Sequence, residues 1–141
     1  SSFGSSNYNI CVISLENAGT TCITSPLGGD SNPSWSPDGM KIAFRSYEFK
    51  AYSANERQSF LWFDIFMISA DGKRITNITK DAAIDDHPSW SPDGMKIAFT
   101  SKFGSNDDIY VMVADGTWKT RITNDPAKDS QPSWSPSIST K

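Results

Sequence analysis

The twelve residues PSWSPDGMKIAF occur twice without a change, at 33–44 and at 88–99, and their first five letters return at 132–136. A chain that repeats a segment in this way builds the same local structure each time, so its fold is a row of similar units. Each copy reads as strand, turn and strand. Pro88 has no N–H to donate and suits the first position of the strand that carries Trp90. In Ser91-Pro92-Asp93-Gly94 the proline presets its own φ and the glycine accepts a positive one, which is the chemistry of a tight turn. Lys96-Ile97-Ala98-Phe99 then resumes as a buried strand.

The repeat reaches past the identical core. An offset of 44 lays DIFMISADGKRITNIT (64–79) on DIYVMVADGTWKTRIT (108–123) with their Ala-Asp-Gly turns in register, and an offset of 55 lays NICVISLENAGTTCIT (9–24) on 64–79. One unit therefore holds about four short strands joined by tight turns. That pattern belongs to propeller blades, each of which buries its faces only against neighbours. The run P-S-W-S-P-D-G-x-K-I-A-F, followed by D-I-Y-V-M-x-A-D-G and R-I-T, resembles the repeat of TolB-like β-propellers, and the resemblance extends from Asn9 to Pro136. It implies four-stranded antiparallel blades around a channel and roles mostly in binding partners, without selecting one function.

The expected fold is all-β: a partial β-propeller of about three four-stranded antiparallel blades, with a split blade at the termini, in a single segment over 1–141. Residues 9–24 supply a half blade, 33–79 and 88–123 a full blade each, and 131–141 the start of the next. Phe3-Gly4-Ser5 echoes Phe103-Gly104-Ser105, so the chain is expected to begin mid-blade. Propellers close with about four to eight blades, and three leave backbone and apolar faces open. Three arrangements answer this: an excerpt of a longer propeller, two copies closing a six-bladed ring, or a head-to-tail filament in which one chain's N-terminal hairpin completes the next chain's last fragment. The polar tail SISTK offers no good second strand for that fragment.

With 13 basic and 16 acidic residues the net charge is -3, which recruits neither nucleic acid nor anionic lipid. No apolar run approaches membrane-spanning length. The N-terminus shows no apolar leader, so a signal peptide is expected either to have been removed or never to have been present. Cys11 and Cys22 fall on the two arms of a hairpin turning at Glu16 and Asn17, and the simplest register sets them opposite one another. A disulfide is expected, which argues for a secreted, extracellular or periplasmic location, the alternative being two separate buried thiols. Asn77-Ile78-Thr79 is a glycosylation sequon, meaningful in a eukaryotic secreted protein and not in a bacterial one.

An insertion of 11 residues interrupts the first full blade within 45–63. It reads as a protruding hairpin whose Tyr47, Phe49, Tyr52, Phe60, Trp62 and Phe63 either anchor an interface or pack on the blade's own face. His87, the single histidine, is matched by Asn32 and Gln131 in the other copies, so its position calls for a polar group rather than an imidazole. No G-x-S-x-G elbow or histidine–nucleophile pairing can be assembled. Asp30, Asp85 and Asp129 are equivalent and would recur at one channel mouth. They are calcium candidates set against the simpler reading that each fixes its loop by accepting backbone N–H groups.

Trp35, Trp90 and Trp134 read as repeat core, and Trp62 and Trp118 as facing outward. The functional expectation is a non-enzymatic interaction or assembly module without cofactor, whose partners are copies of itself or a protein or glycan ligand. The alternatives are a fragment of a larger propeller and the accessory propeller of a hydrolase.

Overall fold

Tight turns between short apolar strands leave each unit one solution, an antiparallel meander. The computed structural model describes residues 8–25, 29–49, 61–81 and 83–136. β1 (Cys11–Ile13) and β2 (Thr20–Cys22) pair as a hairpin. β3 (Ser31–Trp35), β4 (Lys41–Phe49), β5 (Leu61–Ser69) and β6 (Ile75–Asn77) form one four-stranded sheet. β7 (Ile84–Trp90), β8 (Lys96–Phe103), β9 (Asn106–Val113) and β10 (Thr120–Arg121) form a second, in the same order from first strand to last. These are the two full blades and the leading half blade. The hairpin register is the expected one, Cys11 opposite Cys22.

Residues 131–136 differ from expectation: they carry no ladder pairing. A first strand forms against a second, and residues 137–141 lie outside the described residues. The segment instead rests on the preceding blade. The Gln131 N–H donates to Thr100 Oγ1 at 3.1 Å and the Trp134 indole N–H to the Ser89 carbonyl at 2.9 Å. The centre of the inserted hairpin, and Phe3-Gly4-Ser5, also lie outside the described residues.

The identical sequences make identical turns. Ser36 Oγ accepts the Lys41 N–H at 2.9 Å and donates to Asp38 Oδ1 at 2.6 Å, while Asp38 accepts the Met40 N–H at 2.9 Å. Ser91, Asp93, Met95 and Lys96 repeat each bond. The serine hydroxyl, and after it the backbone N–H, hold the carboxyls of Asp38 and Asp93 below the ordinary aspartate range. Gly116 shows why the other turn is Ala-Asp-Gly. Its φ is +90°, and a Cβ there would lie 2.6 Å from the Ile78 carbonyl oxygen, so only glycine lets this turn seat on the previous blade.

Burial is organised between blades rather than within them. One cluster joins Ala43, Ile65 and Ile78 of the first full blade to Trp90, Phe99 and Met112 of the second. Another joins Ile10 of the leading hairpin to Ile42, Phe44 and Ile68. Equivalent residues at the ends of the row lose this cover. Trp90 is 9% exposed but Trp35 47%, Ile78 8% but Ile122 58%, and Ile68 2% but Ile13 63%. Trp35 is therefore half open: the hairpin ahead of it supplies only outer strands. Trp118, at 84% exposed, faces outward as expected, whereas Trp62 is half-buried.

Truncating a buried tryptophan costs about 3–5 kcal/mol. Trp90→Ala is expected to fall in that range by urea unfolding of the isolated chain, and Trp35→Ala at less than half of it. The depressed turn carboxyls contribute stability that is present above the unfolded aspartate value, about 4, and lost as pH falls through the lower folded value. Replacing both Asp38 and Asp93 by Ala should flatten the acid limb of the stability–pH curve.

Candidate functional site

The entries to β3 and β7 and the segment at 131 share an unusual backbone. Asn32, His87 and Gln131 have φ of 53°, 51° and 56°, and the ladders slip beside the first two, between Ser31 and Ser34 and between Asp86 and Ser89. A bulge with one residue in the left-handed region explains the interchange of Asn, His and Gln better than any shared side-chain chemistry does, since Asn and His tolerate that region best. Asn32, His87 and Gln131, each followed by proline, line an open hollow of ≈ 280 Å³ where the three inner segments meet. At the other, turn-bearing end, a hollow of ≈ 750 Å³ between the two full blades is floored by Met67, Ile78 and Trp90 and rimmed by Asp38, Asp93 and Asp115.

Asp86 organises the first hollow. Its Oδ1 accepts from Asn32 Nδ2 at 2.6 Å and from the His87 N–H at 2.7 Å, and its Oδ2 pairs with Arg45 at 3.1 Å. The first full blade is thus tied to the second by a polar clasp. His87 Nδ1 stands 3.6 Å from Asp86 and makes no hydrogen bond, so imidazole and carboxylate are not arranged as a base and its orienting partner. Arg45 also lies over the Phe63 ring, 3.7 Å from its centroid.

The insertion's aromatics divide. Tyr47 and Phe63 meet edge to face at 6.2 Å, and the Tyr47 ring packs on Gly29, where a Cβ would approach to 2.9 Å. At its base, then, the hairpin folds its aromatics back onto the blade. Phe49 closes the backbone of β4, but its side chain, like all of Tyr52 and Phe60, lies outside the described residues.

Cys11 and Cys22 form a disulfide on the exposed face of the leading hairpin. Asn77 is buried. It donates to Asp64 Oδ2 at 2.7 Å and accepts the N–H groups of Thr79 and Lys80, so a sugar on its amide nitrogen requires this network to open.

Asp30, Asp85 and Asp129 are not gathered by the structure among the described residues. Asp30 is buried, with its N–H on the Tyr8 carbonyl, and Asp129 places its N–H on the Asp107 carbonyl. Asp85 instead shares space with Asp64 and Asp81. Burial pushes the Asp85 carboxyl up to about 6, opposed by the Lys119 ammonium and the Ser101 hydroxyl.

Sequence reasoning passed over Asp86, Arg45 and Lys119. The repeat does flag two of them: Asp86 stands where the other copies have Ser31 and Ser130, and Lys119 where the first full blade has Ile75.

The TolB beta propeller domain model matches residues 62–140, more than half of the chain. Dipeptidyl-peptidase 5 of Porphyromonas gingivalis is 35% identical over 79 residues, covering 54% of this chain and 11% of the peptidase. Among solved structures, a putative TolB from Agrobacterium tumefaciens aligns with a TM-score of 0.67 at 24% identity, over 82% of this chain and 40% of its own. TolB from Acinetobacter baumannii aligns at 0.65 and 24%, over 86% of this chain and 28% of its own. The chain thus spans well under half of each of these proteins, and the two structural likenesses carry the fold alone.

If the left-handed backbone rather than the imidazole matters at position 87, His87→Asn should unfold within about 0.5 kcal/mol of the parent. His87→Val, forced into a strained conformation, should cost about 1–3 kcal/mol in the same denaturant titration.

Proposed function

The chain belongs to the TolB beta propeller domain family, and on that premise we propose that it is a non-enzymatic interaction module whose open blade faces are completed by a second copy of itself. The observation that carries this reading is the mismatch between equivalent residues. Ile122 at one end is 58% exposed and Ile13 at the other 63%, while their counterparts between blades are almost fully buried. The two open ends present the surfaces that successive blades present to each other inside the row, so each is shaped for a blade of the same family. Two copies can close a six-bladed ring, and a contact that does not close propagates a filament.

The disulfide fits an oxidising compartment, hence a secreted or extracellular setting, periplasmic in a bacterium. It joins the backbones of the two short strands that lie at one open end, where a hairpin of three-residue strands is marginal by itself.

A second reading is favoured by the comparisons. The chain covers 40% and 28% of the two TolB structures and 11% of the dipeptidyl-peptidase. The missing blades would then come from the same polypeptide, as a larger propeller that binds a protein or glycan, or as the accessory propeller of a hydrolase.

Light scattering of the purified chain over a hundredfold range of concentration separates the two. Completion by a second copy predicts a dimer or longer assemblies, shifted toward monomer by Ile122→Asp or Ile13→Asp. A folded monomer at every concentration would leave completion within a longer polypeptide as the surviving account.

A further inference from the structure

Three carboxylates converge where the first full blade hands over to the second. Asp64 comes from β5, Asp81 from the connection between β6 and β7, and Asp85 from the second position of β7, with one oxygen of each within 4.8 Å of the others. Asp64 is held by Asn77 Nδ2 at 2.7 Å and more loosely by the Thr79 hydroxyl at 3.4 Å. Asp81 accepts the Ala83 N–H at 2.9 Å and contacts the Lys119 ammonium. Asp85 is the odd member: its side chain is 0% exposed, and neither of its oxygens has a hydrogen-bond partner. Lys119 Nζ stands 3.7 Å from Oδ2, too far for a hydrogen bond, and it is already engaged with Asp81. One ammonium shared between two of three converging carboxylates leaves the cluster short of positive charge, which is unfavourable for its buried member.

We propose that Asp64, Asp81 and Asp85 hold a divalent cation of the calcium class that pins the two full blades together at their junction. Hard carboxylate oxygens suit such an ion. Calcium takes such oxygens at about 2.3–2.6 Å in flexible geometry, whereas magnesium demands a near-ideal octahedron at about 2.0–2.1 Å, which three carboxylates fixed on separate elements are less suited to supply.

The chain contains its own comparison. Under the offset of 44 the same three positions recur as Asp108, Asp125 and Asp129. There Arg121 replaces Asn77, and its guanidinium binds Asp108 at 2.7 Å. Among the described residues this second set does not converge as the first does. One junction therefore has a built-in guanidinium at the place where the other has a neutral amide, and it is the amide-bearing junction that keeps a buried carboxylate, without a hydrogen bond and facing only the shared Lys119 ammonium, in reach of two more.

The test is calorimetric titration and thermal unfolding of the chelator-treated full chain with calcium chloride alone and magnesium chloride alone. Calcium should bind saturably with a dissociation constant on the order of 10⁻³ M or tighter and raise Tm, with magnesium at least tenfold weaker. Asn77→Arg, which copies the residue already present at the second junction, and Asp85→Asn should each weaken calcium binding at least tenfold. Asp125→Asn should leave it unchanged. Absence of both heat and Tm shift with calcium, equal response to magnesium, or undiminished calcium binding by Asn77→Arg would overturn the assignment. Should Asp85→Asn fail to fold, Asn77→Arg decides alone.

Discussion

A blade of this protein has two apolar faces and no interior of its own, so its stability is lent by the sheets on either side. Ala43, Ile65 and Ile78 look one way and Ile42, Phe44 and Ile68 the other, which is the period-two alternation of a strand serving two interfaces. The consequence is directional. Where a neighbour exists, large side chains vanish from solvent, and where it does not, the same letter of the repeat stands in water, as Trp35 does opposite the fate of Trp90. Contacts between successive sheets therefore set the architecture, the exposed ends and the proposal for what covers them.

Polar groups fix the spacing that this packing requires. The serine and aspartate of each Ser-Pro-Asp-Gly turn satisfy the backbone locally, and Thr24, Thr79 and Thr123 do the same for the N–H groups of Ile10, Ile65 and Ile109 at 2.9–3.0 Å. These bonds recur because the chain must turn at the same places in every unit. Bonds between units do not recur so faithfully. The Asn32–Asp86–Arg45 clasp and the Lys119 contacts with Asp81 and Asp85 arise where the repeat breaks. Identity within a blade and difference between blades divide the labour: the first makes the sheet, and the second makes each junction individual.

The site residues show the same division. Asn32, His87 and Gln131 look chemically interchangeable because a left-handed bulge, a backbone demand, is common to them. Tyr47 and Phe63 are engaged at the hairpin base through Gly29 and Arg45, contacts that come from other strands and loops. Asn77, read as a sequon, is committed to Asp64, its counterpart in the repeat being the Arg121–Asp108 pair.

Strand order, turn chemistry, the facing of Cys11 and Cys22 and the presence of two whole blades with fragments at either side were legible in the letters, because each depends on residues close in sequence and the repeat states them more than once. The convergence of Asp64, Asp81 and Asp85 was not, nor was the open state of Trp35. Those depend on which neighbour lies across a sheet face and how near it comes. A repeat specifies each unit's own geometry and is silent on whether a given face has a neighbour, so only the packed arrangement decides which equivalent residues end up covered, paired or left exposed.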